Sequence, residues 1–276
     1  MPRISDQQVI AEFRANRGHV GGPLERTRLL LLTTTGARGG AEHTVPVAYL
    51  PDGHRQVVVA SAAGAGKNPD WYHNLVENSQ VTVDIGAMRY EAKAIVLSGQ
   101  ERAELFARAV EADPTLAEQQ ARAERPIPVI ALDRVEGPPQ FDVPPGGALK
   151  LVHNGFRREL ALIRAEVNES GAGLGAQLRV NCLTVCESLH MHHVTEDGYI
   201  FPGVAETNPE LVGVLDRLRE EHAAIAVLIT QLKELLATTG TDPVVLRDEV
   251  DRLITKLEGH LDYEEEHLIP ALDATA

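Results

Sequence analysis

Two rhythms of apolar and polar positions divide the chain. Up to about residue 135, short aliphatic and β-branched runs are broken every few positions by Gly, Pro and Asp-Gly. The runs at 28–34, 44–50, 56–61, 80–85, 89–97 and 128–132 predict six strands, with helices over 5–15 and 68–77 and one or two more over 99–123. Short strands with few helices predict a small β-barrel of α+β type. From residue 146 apolar positions instead recur at three and four, over 146–168, 174–201, 208–238 and 243–272. Breaks at Gly171–Gly175, Pro202-Gly203 and Thr239–Pro243 separate these segments. Asn208-Pro209 and Asp242-Pro243 pair a capping side chain with a first-turn proline. Four long helices with short loops predict an all-α up-down four-helix bundle. Residues 136–147 (EGPPQFDVPPGG), with four prolines and three glycines, read as a linker between domains 1–135 and 148–276.

Composition changes this picture little, but charge changes it usefully. The chain is 43% hydrophobic and 24% charged, ordinary for a soluble globular protein. No apolar run approaches the roughly 20 residues that span a bilayer. The opening MPRISDQQVIAEF lacks the apolar stretch of a signal peptide, so no membrane association and a cytoplasmic location are expected. The net charge of −14 is lopsided: residues 1–145 hold 15 Lys+Arg against 18 Asp+Glu, a net of −3, and the rest hold 11 against 22, a net of −11. An acidic chain without a basic patch argues against nucleic acid. Seven of the 11 histidines lie after residue 145, so an acidic, His-rich half points to a cation. Cys182 and Cys186, four apart in a predicted helix, read as reduced core residues.

Each predicted helix of the second half carries a histidine on an apolar pattern. They are His153 on the first, His192 with Glu196 four later on the second, His222 on the third, and His260 with Glu264 four later on the fourth. Residues four apart share a helix face, so these side chains can converge in the bundle centre, as bundle-core metal sites do. Burying such a set without a metal would strand several polar groups and two carboxylates. Imidazoles bind iron or zinc well, and carboxylates that can bridge two ions and balance their charge make the set fit iron.

The segments LVHNGFRREL, LHMHHVTEDGYIFP, REEHAAI and HLDYEEEHLIP make about 125 residues of this half resemble hemerythrin-like (HHE cation-binding) domains. The motifs His-x-x-x-Glu-Asp-x-x-x-Phe-Pro and His-x-x-x-Glu-Glu-Glu-x-Leu-Ile-Pro carry the likeness. The resemblance implies a di-iron centre on His153, His192, Glu196, His222, His260 and Glu264, with the glutamates bridging. Oxygen-carrying hemerythrins have a second histidine one turn after the third-helix ligand, and here that position is Ala226. His193 is the candidate replacement, while His190 and His267 read as solvated.

In the first half two Gly-rich turns follow strands, Thr33–Gly40 with Arg38 and Ser61–Lys67 with Lys67. Exposed amides beside a cation suit an anionic ligand, above all where a helix opens. The wider pattern, with its ASxxGxxKNPxWYxNL stretch, resembles the deazaflavin-dependent nitroreductase family over about residues 10–135. That implies a split β-barrel binding coenzyme F420, ahead of FMN, whose phosphate and polyglutamate tail want cations. By position, Arg38 and Lys67 would face phosphate or tail. Pro46, Ser61 and the Asp70–Trp71 helix start would border the deazaflavin. His43 stands where the family usually has an arginine. The segment ADPTLAEQQARAERPIP lacks the tyrosines that cover the family's better-known substrate site.

The expected protein is therefore a two-module F420-dependent oxidoreductase passing reducing equivalents to dioxygen, nitric oxide or peroxide. No residue is singled out as catalytic. A non-catalytic module that senses or stores iron, oxygen or nitric oxide is one alternative. A quinone reductase with a protective bundle is another. A homodimer is an expectation from the barrel resemblance alone.

Overall fold

Leu29–Leu32 is buried at every residue, which a strand achieves only when both its faces are covered. In the computed structural model, which describes residues 5–135, 143–170, 175–238 and 242–274, that strand belongs to a closed barrel. Helix α1 (Asp6–Ala15) opens on a Ser5/Gln8 capping box and lays Val9 and Phe13 on the outer side of Leu29 and Leu31. Strands β1 (Leu29–Thr35), β2 (Glu42–Asp52) and β3 (Arg55–Val59) form a meander, followed by α2 (Asp70–Glu77) and the hairpin β4 (Gln80–Ile85) and β5 (Met88–Val96). After α3 (Gly99–Ala112) and α4 (Thr115–Arg122), β6 (Val129–Arg134) inserts between β3 and β5 and closes the ring β1-β2-β3-β6-β5-β4. Every pairing is antiparallel. Leu30, Leu32, Val58, Val83, Ile130 and Leu132 fill the inside. Leu105, Phe106 and Leu116 cover Val57 and Val129 from outside.

The chain divides into two units, Met1–Phe141 and Asp142–Ala276. The second consists of α5 (Pro145–Glu169), α6 (Ala176–Thr195), a π-helical turn over Glu196–Ile200, α7 (Phe201–Thr207), α8 (Val212–Ala237) and α9 (Pro243–Ala274). Residues 136–142 of the linker, and most of the breaks expected at Gly171–Gly175 and Thr239–Pro243, lie outside the described residues. The break expected at Pro202-Gly203 is absent. The helical path runs on to Thr207, because Pro202 sits in the first turn of α7, where its missing N–H costs nothing. Leu160, Ile163, Leu189, Ile225, Leu253, Leu257 and Leu261 form the bundle core. Cys182 and Cys186 are buried within it as free thiols. Among the described residues no helix is long and apolar enough to cross a membrane.

Candidate metal centre

Apolar layers hold the four long helices in phase, and in one band those layers give way to histidine and carboxylate. The structure brings all seven expected metal residues together there, in two groups. His193, His222 and His260 form one, and His153, His192, Glu196 and Glu264 the other; within each group the donor atoms lie within 4.8 Å of one another. Six of the seven are buried, and His192 is nearly so. Neighbours on one helix thus serve different groups, since consecutive helical positions point about 100° apart. The π-helical turn that follows is a common device at functional sites. It lets both Glu196 and Asp197 reach histidines of the centre.

The glutamates span the groups. Glu196 Oε1 lies 3.1 Å from His192 Nε2, and its Oε2 lies 3.6 Å from His222 Nε2. Glu264 Oε2 stands 3.5 Å from His153 Nε2 and 3.6 Å from His260 Nε2. His193 stacks on His222 with ring centroids 4.1 Å apart. It therefore sits with His222 and His260, on the side where Ala226 stands one turn beyond His222.

Three histidines are oriented from behind. His153 Nδ1 meets Glu265 Oε1 at 3.0 Å, His222 Nδ1 meets Asp197 Oδ1 at 3.0 Å, and His260 Nδ1 meets Glu221 Oε2 at 3.1 Å. A ring that donates from Nδ1 keeps its Nε2 lone pair for the centre. Arginines hold two of these carboxylates: Arg157 on Glu265 at 2.6 Å and Arg217 on Glu221 at 3.1 Å. The sequence reading passed over Asp197, Glu221 and Glu265. The available signal was adjacency, since each precedes or follows a candidate donor in the chain.

The electrostatics match an ion's needs. Burial, reinforced by neighbouring imidazoles, pushes His153 down to about 2, His192 to about 3 and His260 to about 4. His193 falls for the same reasons, and burial lowers His222 despite Asp197. All five favour the neutral, ligating form. Burial and then Glu264 lift Glu196 to about 10, and burial above all lifts Glu264 to about 7. Nε2 of His193, His222 and His260 and all four oxygens of Glu196 and Glu264 are buried without a hydrogen bond of good geometry. Unpaired buried polar atoms cost about 1–3 kcal/mol each. A cation would partner all of them and restore the carboxylates to their charged form.

His190 is exposed, as expected, whereas His267 is half-buried and its Nδ1 donates to the Tyr263 carbonyl at 2.8 Å.

In the barrel, one residue ties the first Gly-rich turn to α2. Asn74 of α2 accepts from Ala37 N at 3.1 Å and donates to Thr34 Oγ1 at 3.1 Å. This docks the β1–β2 turn, with its exposed Arg38, on the helix that the Ser61–Lys67 loop opens. Gly36 lies against His43, where an added Cβ would meet Nε2 at 3.0 Å. Ala62 and Ala63 take φ of 46° and 55°, left-handed values that alanine adopts only under constraint. Asn68 Oδ1 is buried beside this loop without a hydrogen-bond partner. Trp71 packs against the barrel core, Ser61 and Pro46 are half-buried, and His43, Lys67 and Asp70 are exposed.

A closed barrel with a Gly-rich turn docked on α2, followed by a bundle with a buried His/Glu cluster, makes a protein of two modules, the second with a candidate metal centre. Residues 6–134 match the family model described as F420H(2)-dependent quinone reductase, and residues 147–272 match the hemerythrin HHE cation binding domain. Rv3178 of Mycobacterium tuberculosis is 40% identical over 103 residues, 37% of this chain and 87% of its own. The F420H(2)-dependent quinone reductase Rv1261c of the same species is 34% identical over 128 residues, 45% of this chain and 86% of its own. A solved F420-H2 dependent reductase, FDR-A, is 36% identical and covers 38% of this chain and 94% of its own, with a TM-score of 0.37. The chain belongs to the F420H(2)-dependent quinone reductase family, with a hemerythrin HHE domain fused behind the reductase domain.

Proposed function

We propose that the barrel binds F420 and reduces a quinone, and that the bundle holds two iron ions which bind dioxygen, nitric oxide or peroxide. The observation that carries the second half is the cluster of buried, unpartnered His and Glu atoms. Seven nitrogen and oxygen side chains in two adjoining groups exceed the four of a structural zinc site. His153, His192, His193, His222 and His260 would hold the ions, and Glu196 and Glu264 would link them. Glu265, Asp197 and Glu221 keep the imidazoles aimed inward.

In the barrel, reduced F420 supplies a hydride when bound. Lys67 and Arg38 would pair with its anionic groups, and the unpartnered Asn68 Oδ1 offers an acceptor to a ring N–H. Ser61, Pro46, His43, Asp70 and Trp71 would line the deazaflavin. Asn74 holds the β1–β2 turn on α2, so Asn74→Ala is expected to destabilise the barrel by about 1–2 kcal/mol. It should also weaken F420 binding roughly tenfold in a fluorescence titration. An unchanged affinity would remove the β1–β2 turn from the cofactor site.

The direct test is elemental analysis of the purified chain beside assays of F420H(2) consumption with a quinone or with dioxygen. About two irons per chain are expected. His260→Ala should lose iron and oxygen-dependent consumption while keeping quinone reduction. Zinc, or no metal, in the unaltered protein would sink the di-iron reading.

A further inference from the structure

A groove with a volume of about 1120 Å³ runs along the bundle surface between α8 and α9. Ala224 and Leu228 line one wall, Gly259 the other, and His260 reaches it from the metal centre. A Cβ at Gly259 would meet nothing within 4 Å, so the small residue leaves open space. Val227, 56% exposed, also lines the groove.

Six ionisable side chains besides His260 line it, Arg217, Glu221, Asp248, Asp251, Arg252 and Lys256, and four of them are neutralised locally. Arg217 pairs with Glu221 at 3.1 Å, Arg252 with Glu249 at 2.7 Å and Asp251 with Arg164 at 2.8 Å. Two donors remain uncommitted: Gln231 of α8 and Lys256 of α9 line the groove, and neither makes a hydrogen bond or ion pair among the described residues. An apolar strip of Ala224, Val227, Leu228 and Gly259 with a donor on each helix suits a flat, neutral ring bearing acceptor oxygens. The charge of this half of the chain, 11 Lys+Arg against 22 Asp+Glu, selects against an anionic ligand such as F420 with its phosphate.

We propose that the α8–α9 groove is a quinone/quinol site on the bundle, seating the ring beside His260 with its oxygens toward Lys256 and Gln231. The proposal rests on the reading that the barrel reduces a quinone. A quinone takes up a hydride and a proton to become a quinol. A quinol gives two protons to solvent and two electrons, one at a time, to a one-electron oxidant, which ferric ions held by the bundle would supply. A neutral carrier therefore suits a chain that pairs a hydride donor with one-electron chemistry.

The test is photolabelling of the full chain with an azido-naphthoquinone and mapping of the labelled peptides by mass spectrometry. Label is expected on peptides holding Ala224–Gln231 and Thr255–Gly259 as well as on the barrel. Gly259→Leu, which fills the groove, should cut the bundle label at least roughly tenfold, with barrel label and iron content unchanged. If that variant loses iron, Ala224→Leu repeats the test from the opposite wall. Label on the barrel alone, or bundle label that survives both fillings, overturns the groove site and leaves the barrel reading standing. Label on the bundle alone keeps the groove and overturns the barrel reading, and no label on either overturns both.

Discussion

Stripping the metal with a chelator should lower the melting temperature of the bundle by about 15 °C or more, read by circular dichroism of the full chain. An ion present at about a thousand times its Kd stabilises the folded form by about 4 kcal/mol. Two ions double that, and each kcal/mol moves a domain of this size by a few degrees. The helical signal is dominated by the long helices of the bundle, and the barrel, with a separate core, supplies only the shorter α1–α4. A shift of only a degree or two would mean that no ion is bound among these donors.

The stripped bundle should also acquire a distinctive pH profile. Glu196 at about 10 and Glu264 at about 7 sit above the ordinary 4.5, so the folded form keeps protons that the unfolded chain releases. Their contribution falls as pH rises from about 4.5, by roughly 1.4 kcal/mol per pH unit per site until each folded value is passed. The buried histidines act oppositely. With folded values of about 2 to 4 for His153, His192 and His260 against 6.5 unfolded, stability rises with pH up to about 6.5. The histidines outnumber the glutamates, so metal-free stability should peak near pH 6.5 and decline toward pH 10. The loaded protein should lack that alkaline decline, because a cation holds both carboxylates ionised. Denaturant titrations at pH 6.5 and pH 9 decide the matter, and equal stability of the stripped protein at both would refute the buried-carboxyl account.

The second large effect is a change of sign. In the loaded protein Glu264→Leu removes the carboxylate that lies near both His153 and His260. Iron content should fall by half or more, and the melting temperature toward that of the stripped form. In the stripped protein the same substitution should stabilise by about 1–3 kcal/mol, since an apolar side chain replaces a buried, unpartnered carboxyl. A variant destabilised equally in both states would show that Glu264 serves packing and not an ion.

Much of this architecture is legible in the chain because its apolar periods are strong. The run 80–85 is the strand Gln80–Ile85, and the third and fourth bundle helices start near the two Asn/Asp-Pro pairs. What escapes is whatever packing decides. A pattern of three and four cannot register the π-helical turn at Glu196–Ile200, so the second helix reads as ending at Pro202 when it continues. Nor can spacing sort His192 and His193 into different groups, because that depends on which helices flank α6. Asn74 looks like an ordinary helix residue until the β1–β2 turn folds back onto it.

The closing strand of the barrel has a consequence for how the protein is made. β3 and β5 precede β6 in the chain, and both wait for it. Until Val129–Arg134 has left the ribosome, two strand edges stand open, each a template for pairing with another nascent chain. Once that short segment emerges the ring shuts, before most of the bundle has been synthesised. The reductase domain can thus finish folding while the His-rich helices are still to come. A ribosome that stalls ahead of residue 129 would instead release a sheet with two unpaired edges, the form of this protein most prone to aggregate.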